Sequence, residues 1–169
     1  MNPMKMLDDM RTIKQLLTET ERIAREMGEE EPGAEHLLLS AIGLPDGSAS
    51  RALATVGVDD ERIRSALREE QAEALVSVGV PRETADALAE PTPLGPGGVP
   101  LLYAAGPSAR EVFQEAGRLA RKSKQRLAGA HIVVAVAGLS RGTVPRLLDR
   151  LGVDRSRLAD AARAELSRR

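Results

Sequence analysis

The chain has 169 residues, 24 basic against 25 acidic side chains, two histidines and a formal net charge of −1. That balance excludes a general nucleic-acid binder, which needs surplus Lys and Arg to displace counterions, and with aromatic residues at 1% there is no platform for base stacking. The absence of cysteine removes disulfides, thiolate nucleophiles and Cys-ligated zinc, and fits a reducing cytoplasm.

In chain order, the first residues place Asp8 and Asp9 where a secretory signal needs an apolar run. The longest near-continuous apolar stretch, Ile132 to Leu139, is too short to cross a bilayer. A soluble, cytoplasmic chain is expected, with residues 1–10 as an N-terminal extension. From there Ile13, Leu16, Leu17, Thr20, Ala24 and Met27 recur at helical spacing. Pro32-Gly33 breaks the chain, and Glu35 to Ile42 reads as a short apolar second helix. Length alone does not separate that run from a buried strand, but the flanking helical periodicity favours helix. Gly43 to Gly47 is a turn, and Ser48 is the expected N-cap of a third helix. Gly57 suits a left-handed helix end. Asp59 then caps a fourth helix with Ile63, Ala66 and Leu67 inward. The connection over 71–105 is partly helical. Pro81 is expected in the first turn of a short helix whose inner face is Ala85, Leu88 and Ala89, and Pro91 to Pro100 is a linker.

The second half then repeats the first. Shifted by 95 positions, residues 36–70 align without a gap on 131–165 with thirteen identities, among them His36/His131, Arg51/Arg146, Gly57-Val58-Asp59/Gly152-Val153-Asp154 and Glu70/Glu165. Upstream, a shift of 96 pairs Leu16-Leu17 with Val112-Phe113 and Ala24-Arg25 with Ala120-Arg121. The repeats span 11–70 and 106–169. Thr143 is the second copy's expected N-cap, and Leu158, Ala161 and Ala162 its inner face. The fold expected is all-α: a tandem, pseudo-twofold pair of four-helix units joined by a partly helical linker.

Few side chains suggest chemistry. His36 and His131 occupy equivalent positions one repeat apart, so they are expected to support their helix starts rather than converge on a metal. Gly138-Leu139-Ser140-Arg141-Gly142 spells a hydrolase elbow, but no histidine follows it, and Pro45 replaces the serine in the other copy. It reads as an interhelix turn, and no enzyme is expected. The loops between first and second helices carry opposite charge: Glu29, Glu30, Glu31 and Glu35 in one copy, Lys122, Lys124 and Arg126 in the other. Solvated loop charge explains this, and a bipolar surface that steers a partner is the functional alternative. Leu37-Leu38-Leu39 and Ile132-Val133-Val134 are core runs, part of which a groove between the repeats would expose.

The words Pro32-Gly33-Ala34-Glu35-His36-Leu37-Leu38-Leu39 and Leu53-(x3)-Gly57-Val58-Asp59 resemble the Gly-Thr-Glu-His-Leu-Leu-Leu and Leu-Gly-Val-Asp signatures of the Clp ATPase amino-terminal (Clp N, or Clp R repeat) domain. Pro107-Ser108-Ala109-(x2)-Val112 is similar to the opening of that family's second repeat. The resemblance implies a non-catalytic module, without cofactor or metal, that receives substrates and adaptors for an unfolding ATPase feeding a protease. In parts of the family the motif Glu holds the guanidinium of a phosphorylated arginine. That role would fall on Glu35, with Ala34 in place of the family's Thr and His36 beside it, and with Glu31, Lys122, Lys124 and Arg126 as flanking charges. The second copy, Ala128-Gly129-Ala130-His131, lacks the Glu, and no Gly-x4-Gly-Lys-Ser/Thr phosphate loop is present. The chain therefore resembles a diverged, free-standing relative without the AAA+ motor. The function expected is protein or peptide binding in Clp proteolysis, either substrate or adaptor recognition or regulation of the ATPase–protease. An alternative is a decoy that sequesters ligands, such as cyclic peptides aimed at the Clp ATPase. A helix-turn-helix DNA regulator is disfavoured by the charge, and no nucleic acid or membrane is expected as a partner.

Overall fold

The computed structural model describes residues 3–95 and 105–168, with side chains from residue 7 onward. The rest of the expected linker (96–104, with Tyr103) and residues 1, 2 and 169 lie outside the described residues. Within them the chain forms nine α-helices and no strand: α1 (Pro3–Glu26), α2 (Ala34–Ile42), α3 (Ser48–Thr55), α4 (Asp60–Ser77), α5 (Arg82–Ala89), α6 (Pro107–Lys122), α7 (Gly129–Ala137), α8 (Thr143–Arg150) and α9 (Arg155–Ser167). The expected boundary at residue 10 has no break: α1 runs through it. No described helix is long and apolar enough to cross a membrane.

The two apolar runs become α2 and α7, and both are buried almost from end to end. A helix that is apolar on all sides must be enclosed by others. Here α2 and α7 pack against each other, with α1 on α2 and α6 on α7. The third helix of each repeat crosses to the fourth of the other, α3 to α9 and α8 to α4. This reciprocal exchange is the isologous pattern of a twofold interface, built within one chain.

Two repeat identities mark that symmetry. Arg51 Nε donates to Glu165 Oε2 at 2.6 Å, and the equivalent Arg146 donates to the equivalent Glu70. Arg150 adds bonds to Glu70 and Glu73 at 3.2 and 3.1 Å. The Arg51 and Arg146 side chains are more than half exposed, so each of those pairs contributes about 0–1 kcal/mol. Their effect is to fix how the repeats meet more than how tightly.

Several helix ends follow the sequence. Asp59 accepts from Arg62 N–H at 2.9 Å, and Asp154 from Ser156 and Arg157 N–H at 2.8 and 3.1 Å. Ahead of them Gly57 and Gly152 are left-handed, at φ +75° and +67°. Other ends depart from expectation. Gly47 and Gly142 hold the N-cap positions, so Ser48 and Thr143 are the first helical residues and do not cap their own helices. Pro81 sits one residue before α5 rather than in its first turn. Leu88 is 58% exposed, and α5 packs through Ala85 and Ala89 against Ala72 of α4. In α9, Leu158 and Ala162 are buried while Ala161 is only partly so, with Ala159 also inward.

The described part of the linker, 91–95, is not free of the repeats. It returns over the end of α1, where Leu94 N–H donates to Arg25 O at 2.8 Å and Arg25 Nε donates to Gly95 O.

Candidate functional site

Both histidines are fully buried at the start of the second helix of their repeat. His36 Nδ1 accepts from Gly33 N–H at 2.9 Å, and His131 Nδ1 accepts from Ala128 N–H at 3.1 Å. Each ring thus satisfies a backbone donor that the helix start leaves without an intrahelical acceptor. This is the structural role expected from their repeat equivalence.

Three further donors at these starts are satisfied from the opposite repeat. Ala34 N–H donates to Ser108 Oγ at 3.1 Å. Gly129 N–H donates to Asp46 Oδ2 at 3.0 Å, and Ala130 N–H to Ser48 Oγ at 2.8 Å. The carboxylate missing from the second copy's motif is therefore supplied by Asp46, out of the first copy's turn. Ala130, at the position of the motif Glu, is fully buried, and a Cβ on the preceding Gly129 would lie 2.8 Å from Ala49 Cβ and 2.9 Å from Ala41 O.

In the first copy Glu35 is also buried. Its carboxylate folds back over Gly33 and takes a hydrogen bond from its own backbone N–H. Burial raises its carboxyl above the usual range and the nearby Glu29 adds to this, while its own N–H and the Arg146 charge oppose it. Partial burial raises Glu29 likewise. Glu29 Oε1 lies 3.9 Å from His36 Nε2, and Glu35 Oε1 lies 3.6 Å from His36 Nδ1. Among the described residues, Glu29, Glu35 and His36 are thus the group whose donor atoms come close enough to hold a metal ion, within 4.8 Å of one another. The hydrogen bond at Nδ1 opposes that use. With Nδ1 accepting, the neutral ring carries its proton on Nε2, the atom facing Glu29. Burial, with the Arg64 charge secondary, pushes the His36 pKa down to about 4, so the ring is neutral at pH 7. A cation would have to break the Gly33 bond or strip the Nε2 proton.

Apart from Glu29, the charged loop residues have their own surroundings. Arg126 pairs with Asp8 of α1 at 2.8 Å. Lys122 and Lys124 are exposed at the end of α6. Glu31 is exposed, with its carboxylate beside Gly106 at the start of α6, where Gly106 N–H donates to Pro32 O at 2.9 Å. Each loop therefore lies near the opening of the other repeat's first helix.

A groove between the repeats is expected to expose part of the Leu37-Leu38-Leu39 run; the structure has such a groove with Leu37 in its wall, but its main walls, α1 and α6, were not read from the sequence. Between α1 and α6 lie two adjoining cavities of about 290 and 320 Å³ that share Phe113 and Gln114. The first has Leu17, Leu37 and Ala109 in its wall, and the second Ile13, Ala120 and Leu127. Repeat-equivalent residues line them in exchange: Leu17 meets its counterpart Phe113 in the first, while Ala109 in the first corresponds to Ile13 in the second. The groove therefore straddles the pseudo-twofold axis. A signal was present in the paired dipeptides Leu16-Leu17 and Val112-Phe113. Leu16 and Val112 are fully buried, whereas Leu17 and Phe113 are half-buried and face the groove.

The comparisons agree with this architecture. The N-terminal domain of ClpD, the caseinolytic-protease-associated chaperone of Arabidopsis thaliana, superposes with a TM-score of 0.63 at 22% identity, covering 93% of this chain and 92% of that one. A structure described as belonging to a malarial protein secretion system superposes with a TM-score of 0.52 at 18% identity, covering 94% and 90%. At these identities the likeness shows the fold. No curated protein sequence matches significantly. The family model for the Clp repeat (R) N-terminal domain matches residues 11–89, the first repeat and the connection as far as α5. Residues 11–89 are thus similar to the Clp repeat (R) N-terminal domain family, and the chain as a whole has the all-helical fold of the ClpD N-terminal domain.

Proposed function

We propose that the chain is a non-catalytic binding module of a Clp proteolysis system, and that it takes substrate or adaptor segments in the groove between α1 and α6. The observation that carries this reading is the groove itself: an apolar floor of Leu17, Leu37 and Phe113 beside the polar Thr20, Arg110 and Gln114. An apolar surface with a few polar groups around it suits a peptide side chain. The hydroxyl of Ser48 donates to Asp46, but both are committed to the start of α7. Ser140 lies exposed in the turn between α7 and α8, and the two histidines are buried supports.

A phosphorylated arginine has less to recommend it as the ligand. A phosphate at a helix start needs free N–H donors. Those of Ala34, Gly129 and Ala130 already donate to Ser108, Asp46 and Ser48, and Glu35 is folded over its own helix.

The test is calorimetric titration of the chain with the Clp ATPase–protease of its own source, and with an arginine-phosphorylated peptide, for wild type, Leu17→Asp and Glu35→Ala. The expected result is binding to the ATPase–protease that Leu17→Asp weakens and Glu35→Ala leaves unchanged. Phosphopeptide binding that Glu35→Ala removes would move the site to the α2 start. Binding to neither would sink the reading.

A further inference from the structure

The two cavities between α1 and α6 are equivalent by the pseudo-twofold but not in chemistry. Ala105 borders the first at the position where Asp9 borders the second. In that second cavity two lining residues, Asp9 and Gln125, each hold an oxygen shielded from solvent, and neither Asp9 Oδ1 nor Gln125 Oε1 has a hydrogen-bond partner. Gln125 is not free to present its amide nitrogen instead. Its Nε2 donates to Leu166 O at 2.9 Å, which leaves the oxygen as the unused group. An ionised Asp9 offers acceptors alone. The neighbouring Asp8 is paired with Arg126 at 2.8 Å, whereas Asp9 has no ion pair among the described residues.

Folded chains leave few buried acceptors unpaired, so two on one cavity mark the place of a donor. The surroundings narrow what that donor is. One acceptor is a carboxylate drawn partly out of water, and such a charge is best met by the opposite charge. The other walls are apolar, with Ile13, Phe113, Ala120 and Leu127 among them. A cationic head on an apolar stem satisfies both conditions, and those are the parts of an arginine or lysine side chain. The cavity, at about 320 Å³, has room for one. Arg121 also borders it but is exposed, so water and salt screen its charge.

We propose that the Asp9 end of the α1–α6 groove is a subsite for a basic side chain of the bound segment. This deepens the peptide-binding reading and rests on it. The head donates to Asp9 Oδ1 and Gln125 Oε1, while the methylenes lie along Phe113 and Leu127. The first cavity has Ala105 in place of Asp9 and carries the exposed Arg110, so it is no match for the same residue. The groove thereby gains a direction that its pseudo-symmetry would deny it. The basic residue of the segment lies toward Leu127 and an apolar one toward Leu37.

The probes are fluorescein-labelled Ala-Leu-Ala-Arg-Ala-Leu-Ala and the same peptide with citrulline, the neutral isostere, in place of arginine. Each is titrated with the full 169-residue chain and followed by anisotropy. The arginine peptide should bind about tenfold more tightly than the citrulline peptide. Asp9→Asn should erase that preference, and Asp8→Asn, which removes an equal charge from the adjacent residue, should change it far less. Asp9 is only half-buried on α1, so its variant should fold, with a circular dichroism melt like that of the wild type. No saturable binding of the arginine peptide, equal affinity for the two peptides, or a preference that survives Asp9→Asn would overturn the proposal. The underlying reading fails separately. Binding of the ATPase–protease that Leu17→Asp weakens, with no preference for the arginine peptide, would sink this subsite and leave the groove standing.

Discussion

Replacing His36 with Asn isolates the ionisation of its buried ring. Asn Oδ1 keeps an acceptor for Gly33 N–H but does not titrate. In the folded chain burial pushes the His36 pKa from 6.5 down to about 4. Between those values the unfolded state binds a proton that the folded state refuses. Stability is therefore fully present above the unfolded pKa and falls as pH drops toward the folded one. A difference of about 2.5 units at 1.36 kcal/mol each gives a loss of about 3 kcal/mol from pH 7 to pH 4. Glu29 and Glu35 act in the opposite direction. Their raised carboxyls hold a proton in the folded state at a pH where the unfolded state has released it, so acid relieves them. They are present in both proteins, as is His131, and cancel in the difference between the two curves. Urea unfolding followed by circular dichroism at several pH values measures that difference. The wild type should lose about 3 kcal/mol more than His36→Asn on acidification, although the variant starts lower because it leaves a cavity. A difference that stays flat with pH, or grows in the wild type's favour in acid, would refute the assignment of a buried neutral ring.

Four further substitutions test the way the repeats and the strap of residues 91–95 are held. Asp46→Ala removes the acceptor of Gly129 and Ser48 N–H. The loss of a cap of about 1–2 kcal/mol predicts a Tm lower by about 2–8 °C in calorimetry, and no change would mean that the trans cap is not formed. Gly129→Ala, which would press a Cβ on Ala49 and Ala41, should cost about 1–3 kcal/mol. Gly138→Ala, whose Cβ would come no nearer than 3.4 Å to a neighbour, should cost far less, and equal costs would refute the close contact. Gly28→Ala puts a side chain at φ +83° against Thr92 O and should cost about 1–2 kcal/mol. It should also speed amide exchange of Leu94, which an undisplaced strap would not show.

The repeat carried most of the fold in plain sight. Equivalent glycines, aspartates and histidines announced equivalent helix ends, because those signals act within a few residues of themselves. The reciprocal pairs Arg51–Glu165 and Arg146–Glu70 were visible as identities but not as contacts. Only the crossing of third helices onto fourth helices brings them together. Ser48 illustrates why local rules failed elsewhere. Its hydroxyl does act at a helix start, but that start belongs to α7, eighty-two residues away, and no local motif encodes such a partner. Leu88 failed for a different reason: the alanines on α5 let it lie close on α4, and that left the larger side chain outside. Glu35, read as a ligand contact, is buried over its own helix start, a consequence of tertiary packing that composition does not reveal. A groove between the repeats was expected, but its α1 and α6 walls were missed because they come from two repeats and their residues pass, in sequence, for ordinary core.

Amide hydrogen exchange of the chain alone and bound to the Clp ATPase–protease of its own source tests the central claim most directly. Added protection is predicted on the facing segments of α1 around Ile13 to Thr20 and of α6 around Ala109 to Gly117, weakened in Leu17→Asp. Binding that protects neither segment, or that protects only the α2 start around Glu35, would contradict the assignment of the inter-repeat groove as the binding site.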